Sequence, residues 1–288
     1  MRRKTLRFLY VALCAALLSS CEKTLLDGDD DASIPSDANV VLKMSLYEDL
    51  PFDTRSSKPI SQMASRISVA FFQGATKAKA IWQKADDDHF GTVATALAEG
   101  SYEVVAIAHN CDGTATITSP EKVTFPSNKV SDTFYYYGTL NVSSTQSTFN
   151  LDMRRNVAMF RLMQTSPLPE AAKYIWFRYT GGSSTYSPVL GFGSVKSTQT
   201  VEMDIAEGQD VFEIYTFPHE EEDLLNITIR LLDSKKDAIK ELTLENVPVK
   251  LNRITQYTGD LMNASTVSGN TFNMTGDDEW NGTENYTF

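Results

Sequence analysis

Cys21 stands directly behind Leu18-Ser19-Ser20, at the end of an apolar run from Phe8 to Leu18 that follows Arg2, Arg3, Lys4 and Arg7. That order offers one reaction: a diacylglyceryl group is transferred to the thiol, and a peptidase then cuts between Ser20 and Cys21. The basic start, the apolar core and the small residues before the cut are what a secretion signal presents. A core this short falls below the roughly 20 apolar residues of a membrane-spanning helix. Residues 1–20 therefore read as a signal peptide and Cys21 as the lipid attachment site, in preference to an ordinary cleaved signal with an incidental cysteine. At ~0.8 kcal/mol per buried CH₂, several acyl chains would hold a protein on a membrane, where one chain binds only reversibly.

Other reactive side chains are sparse. The three histidines, His89, His109 and His219, show no metal-ligand spacing, so no metal site is expected. His109 and Cys111 share parity in an extended segment and so can meet, but their neighbours Val105, Ile107 and Asp112-Gly113 read as a strand running into a turn. Asp86-Asp87-Asp88-His89 and Glu220-Glu221-Glu222-Asp223 fall at turns, where consecutive carboxylates face water and keep ordinary acidity. Gly181-Gly182, followed by serines, reads as a hairpin and not as a phosphate loop. No catalytic residue and no cofactor is assigned. Tyr135-Tyr136-Tyr137 could offer an aromatic platform, but alternation turns Tyr136 away from its two neighbours, so core or cross-strand packing is the better reading.

Charge narrows the partners. The chain carries a net −11, and removal of the four basic residues of the signal, which has no acidic residue, takes it to −15. Such a surface repels phosphate backbones, so nucleic acid is excluded as a partner. Cys14 leaves with the signal and Cys21 is consumed by lipid, so Cys111 is the single thiol left and no internal disulfide can form.

The elements that must position these residues are short and β-prone. Residues 21–38, with Asp27-Gly28-Asp29-Asp30-Asp31, suit a flexible acidic tether. Beyond it come Val41–Leu46, Ile67–Phe72, Tyr102–Ala108, Phe134–Tyr137 and Thr148–Leu151, with Val93–Ala98 favoured as strand despite its alanines. A second set follows near Asn156, in which Val211–Phe217 and Leu225–Leu231 alternate apolar with polar residues, the period of a sheet with one dry face. The pattern predicts an all-β protein of two tandem β-sandwiches, over 39–152 and 153–288.

Three stretches in this order resemble the FimB-type fimbrial anchor subunits of Bacteroidales, lipoproteins of the wider fimbrillin group. They are Cys21 with its acidic tether and the Val40–Leu46 strand leading to Asp53-Thr54-Arg55; Leu151-Asp152-Met153-Arg154-Arg155-Asn156-Val157-Ala158-Met159-Phe160; and Val249–Leu261 followed by Asp278-Glu279-Trp280. The resemblance covers most of residues 21–288 and implies transthyretin-like sandwiches, no enzymatic activity and other fimbrial subunits as partners. It further implies joining by β-strand addition, and an outer-membrane lipoprotein at the cell surface or in a fimbrium.

Within that group shaft precursors are cut after an arginine near the N-terminus, losing lipid and first strand together. Arg55 matches the general position of such a cut, set in the run Asp53-Thr54-Arg55-Ser56-Ser57. If it is cut, the chain is a shaft or tip subunit; if it stays whole, the chain is a base anchor or assembly terminator, the preferred reading. The C-terminal Phe272, Met274, Tyr286 and Phe288 form either a donor strand for another subunit or an ordinary last strand of the second sandwich. A turn is expected at Gly276-Asp277-Asp278. A different class fits the same tether and architecture: a surface glycan-binding lipoprotein, which would need exposed aromatic loops. A periplasm-facing structural lipoprotein is a third. Any host ligand is left unknown.

Overall fold

The computed structural model describes residues 35, 37–49, 55–264, 273–277 and 280–287. The expected signal peptide, Cys21 and most of the expected tether lie outside them. In chain order the first ten strands are β1 (Val40–Asp49), β2 (Arg55–Pro59), β3 (Arg66–Gln73), β4 (Thr76–Lys84), β5 (Thr92–Thr95), β6 (Gly100–His109), β7 (Thr116–Ser119), β8 (Lys122–Thr124), β9 (Thr133–Val142) and β10 (Ser147–Arg155). Then follow β11 (Ala158–Gln164), β12 (Tyr174–Thr180), β13 (Thr185–Ser187), β14 (Phe192–Gly193), β15 (Gln199–Asp204), β16 (Val211–Thr216), β17 (Glu222–Leu232), β18 (Ala238–Lys250), β19 (Ile254–Gly259), β20 (Asn273–Asp277) and β21 (Trp280–Thr287). Among the described residues the only helical pieces are single 3-10 turns, as at Ile60–Gln62 and Pro126–Asn128. The all-β expectation holds.

The first sheet runs β2-β1-β10-β9-β6-β3-β4, with β5 also paired to β1. β10 serves both of its layers: Ser147–Met153 pair in parallel with β1, and Arg154 and Arg155 then pair with β9. The layers close on a core of Val40, Leu42, Met44 and Leu46 from β1 against Val69, Phe71, Val104, Ala106 and Phe134. Alternation along β10 turns Leu151, Met153 and Arg155 inward and Asp152 and Arg154 outward.

The second pair of sheets runs β16-β11-β19-β21-β20 and β15-β12-β17-β18. Phe160, Leu162, Phe212, Ile214, Tyr257 and Tyr286 of one face Ile175, Phe177, Ile227, Ile229, Leu242 and Val249 of the other. Both halves thus have the layered packing of β-sandwiches.

A third assembly has no counterpart in the sequence reading. β7 and β8 from the first half and β13 and β14 from the second make one small sheet, in the order β14-β13-β8-β7. Its core joins Ile117, Val123 and Phe125 to Tyr186 and Phe217, and takes in Ala70, Phe72, Val105 and Ile107 from β3 and β6, with Met159, Ile254 and Trp280. This explains why β3 and β6 read as nearly continuous apolar runs: both of their faces are covered. Ser36–Phe288 form one compact unit.

The small sheet also corrects the reading of Gly181-Gly182. No hairpin forms there, because β12 pairs with β15 and β17, and the chain leaves the sheet for β13. A Cβ on Gly181, at φ +105°, would fall on the Leu224 carbonyl oxygen, and one on Gly182 on Thr216 Oγ1. The glycines are needed for this close crossing.

Candidate functional site

Sequence alternation already sends Arg155 inward, and a guanidinium can be buried only with partners. At the end of β10 its Nε and Nη2 donate to the two carboxylate oxygens of Asp132, at 2.8 and 3.0 Å. The guanidinium carbon lies 4.0 Å from the centre of the Trp280 ring and 4.9 Å from that of Phe134, and Nη1 donates to Asn252 Oδ1 at 3.4 Å. Asp132 and Phe134 belong to the first half of the chain and Asn252 and Trp280 to the second. A bidentate pair with aromatic stacking is geometry that lysine cannot reproduce. Arg155 is therefore the polar clasp where the halves meet.

The strand that a cut at Arg55 would remove is β1. Its pairing with β10 runs from Val40–Ser147 to Leu46–Met153, and β5 and β2 lie against it antiparallel. Arg55 is the first residue of β2 and is paired with Asp49 across the ladder. Val40, Leu42, Met44 and Leu46 are buried; at about 1.5–3 kcal/mol per side chain they contribute roughly 6–12 kcal/mol by transfer alone. That is on the scale of a whole domain's net stability, about 5–15 kcal/mol.

Near the chain end, β21 runs parallel to β19, from Ile254–Thr283 to Thr258–Thr287, and β20 pairs antiparallel on its other side, with Asp277 opposite Trp280. The turn expected at Gly276-Asp277-Asp278 is not seen at its first two residues, which belong to β20, and Asp278 lies outside the described residues. Tyr286 is buried and stacks on Tyr257 with ring centres 4.7 Å apart. Buried Glu284 receives Lys250 Nζ at 2.9 Å, and Glu222 receives the same ammonium at 3.0 Å. Hydrogen bonds that the ammonium donates to these carboxylates, Glu284 first, raise the Lys250 pKa. Of the candidate donor-strand residues, Tyr286 lies within its own chain's sheet, the backbone of Met274 lies in β20, and Phe272 and Phe288 lie outside the described residues.

His109 and Cys111 do meet, but not as a catalytic pair. The backbone N–H of Cys111 donates to His109 Nδ1 at 3.1 Å, while the thiol points to the Lys129 carbonyl and Ser131 Oγ, each at 3.2 Å. Burial, helped by Arg66, lowers the imidazole pKa to about 4, and burial raises that of the thiol. A neutral histidine spent on a backbone amide and a protonated thiol form no nucleophile.

The acidic runs are mostly exposed, with Asp87 and Asp223 half-buried. Lys84 pairs with Asp86 at 2.8 Å, Asp87 accepts the Lys84 backbone N–H, and Asp223 takes His219 Nδ1 at 2.7 Å. No group of residues able to hold a metal occurs among the described residues. The tyrosine triplet splits as alternation requires: Tyr136 packs on the first core, and Tyr135 and Tyr137 pack on the third. Tyr137 also donates to Glu103 at 2.6 Å, which raises its pKa to about 12.

The chain matches, over residues 29–281, the family model described as Mfa2, fimbrillin-A associated anchor proteins Mfa1 and Mfa2. No curated protein sequence matches it. Among solved structures it is similar to a provisionally named cell adhesion protein from Bacteroides ovatus, at 13% identity and TM-score 0.45 over 81% of this chain and 95% of that one. It is also similar to the fimbrial anchor protein Mfa2 from Porphyromonas gingivalis, at 11% identity and TM-score 0.40 over 70% of this chain and 80% of that one.

Proposed function

The chain belongs to the family of fimbrillin-A associated anchor proteins, and from that premise we propose that it is a lipid-anchored subunit that roots or terminates a fimbrium. Its family is structural, and the chain is not an enzyme. In this reading lipid on Cys21 holds it at the outer membrane, two sandwiches follow the tether in the chain, and other fimbrial subunits join it by β-strand addition.

One observation carries the choice of anchor over shaft or tip. β1 is paired on both sides in the first sheet and its apolar face lies in the core, while the backbone of Arg55 is held in a ladder opposite Asp49. A protease must draw an extended segment into its cleft, so a paired arginine resists cutting, and an uncut chain keeps both its lipid and its first strand. Loss of β1 would expose the β10 edge and forfeit burial on the scale of the whole fold's stability.

Limited digestion of the full chain with an arginine-specific protease tests this. The Arg55–Ser56 bond is expected to persist under conditions that digest the urea-unfolded chain. Rapid release of a fragment ending at Arg55 from the native chain would overturn the anchor reading in favour of a shaft or tip subunit.

A further inference from the structure

Most strands at the ends of the sheets carry devices that discourage another strand from joining. β2 has Arg55, Lys58 and Pro59, β4 has Lys77, Lys79 and Lys84, and β15, β16, β18 and β20 each hold at least one carboxylate. β14 has two residues. The outer side of β5 is met by side chains, since Gln83 Nε2 donates to the Thr92 carbonyl at 2.8 Å and Lys79 Nζ to that of Ala96 at 3.1 Å. β7 is different. Thr116-Ile117-Thr118-Ser119 has no charge, no proline and three β-branched residues; its ladder shifts register between Ile117 and Ser119, and among the described residues it pairs only with β8.

The surface beside β7 is also incomplete. The small sheet lies on the outer faces of β3 and β6, where Ser68 Oγ donates to the Ala115 carbonyl at 3.1 Å and Ile117 is buried with Ala70. It ends at β7, so the outer face of the next strand, β4, is left uncovered: Ala78 and Ala80 are exposed, and Trp82 is 60% exposed. Between β7 and this face lies a cleft of about 190 Å³, its floor made by Ala70 and Ala80, which are ladder partners, with Trp82 and Lys77 also lining it.

We propose that β7 is an acceptor edge for a β-strand supplied by another polypeptide, which extends the small sheet from four strands to five. The strand position beyond β7, one ladder spacing of about 4.8 Å away, falls over β4, so the incoming strand continues the packing that the small sheet already makes on β3. Its inward side chains are small or β-branched, to rest on Ala80 and beside Trp82, and it carries a carboxylate for Lys77, the cation of the cleft. This edge is separate from the β1–β10 pairing on which the anchor reading rests, so each stands without the other.

The test uses the full chain and the blocked peptide Val-Glu-Val-Thr-Val-Glu-Val at millimolar concentration, read by amide hydrogen exchange. Exchange over residues 116–119 is expected to slow by about tenfold, corresponding to ~1.4 kcal/mol. Trp82→Ala, at an exposed side chain, should weaken the peptide, and Thr118→Lys should abolish the protection while leaving the fold intact. The same peptide with proline in place of its central threonine should give none. Unchanged exchange over 116–119, or equal protection by the proline peptide, overturns the proposal. So does self-association of the chain that Trp82→Ala removes, since the face would then belong to a second copy.

Discussion

Arg155 closes β10 with its guanidinium 4.0 Å from the centre of the Trp280 ring, the first residue of β21, while both carboxylate oxygens of Asp132 hold it from the other half of the molecule. The last strand of the first sheet, β10, thereby grips β21 near the end of the chain. A buried cation held this way is expensive to leave half-made.

Arg155→Ala should therefore lower stability by about 3 kcal/mol, because it strands a largely buried Asp132 and uncovers Trp280. Urea denaturation measures it. Asp132→Asn in the Arg155→Ala background should recover part of the loss, and a near-neutral Arg155→Ala would remove the clasp from the fold's energetics.

His109 makes the fold sensitive to mild acid. Its pKa is lowered to about 4 in the fold, chiefly by burial and then by Arg66, against ~6.5 in the unfolded chain. Between these values the unfolded state binds the extra proton, so the contribution is complete above about pH 6.5, erodes as the pH falls, and is gone below about 4. The loss is about 3 kcal/mol. Urea midpoints across this range should fall more steeply for the natural chain than for His109→Gln, and parallel curves would contradict the assignment.

Gly181→Ala should disrupt the crossing from β12 to β13. The new Cβ meets the Leu224 carbonyl oxygen in a backbone conformation that L residues rarely adopt. A cost of about 2 kcal/mol or more is expected, together with loosening of the small sheet, readable as faster amide exchange in β13. A variant as stable as the natural chain would show that the backbone relaxes freely there.

Tyr286→Ala should cost about 3 kcal/mol, since it deletes a buried ring stacked on Tyr257. Thermal unfolding of the isolated chain reads this directly. A neutral result would mean that β21 contributes little to its own sheet, as a strand meant for export to another subunit would.

The sequence carries much of this architecture in its alternation. Leu151, Met153 and Arg155 share a parity, so the inward direction of Arg155 was legible and only its partner was not, because Asp132 lies in a loop. Tyr136 and its two neighbours part as their alternation requires. The small sheet was illegible for a physical reason. β7, β8, β13 and β14 are two to four residues long, too short to show a period, and the pairing that joins β8 to β13 is far apart in sequence, as Thr185 with Thr124. The same reason turned Gly181-Gly182 into an apparent hairpin: local glycine chemistry marks a sharp crossing without saying which strand comes next. The expectation of lipid at Cys21 rests on its sequence neighbours alone, and the residue lies outside the described residues.

Lipid attachment has its own check. Cells grown on radiolabelled palmitate should label the natural chain and not Cys21→Ala, which should also leave the membrane fraction. Label retained by the variant would move the anchor elsewhere.

The most direct test of an uncut anchor is mass spectrometry of the N-terminus in material purified from assembled fimbriae. A peptide that begins at a triply acylated Cys21 and runs on through Arg55 is the predicted result. A chain that begins at Ser56 would contradict it, since the protein in the fimbrium would then have lost both its lipid and β1.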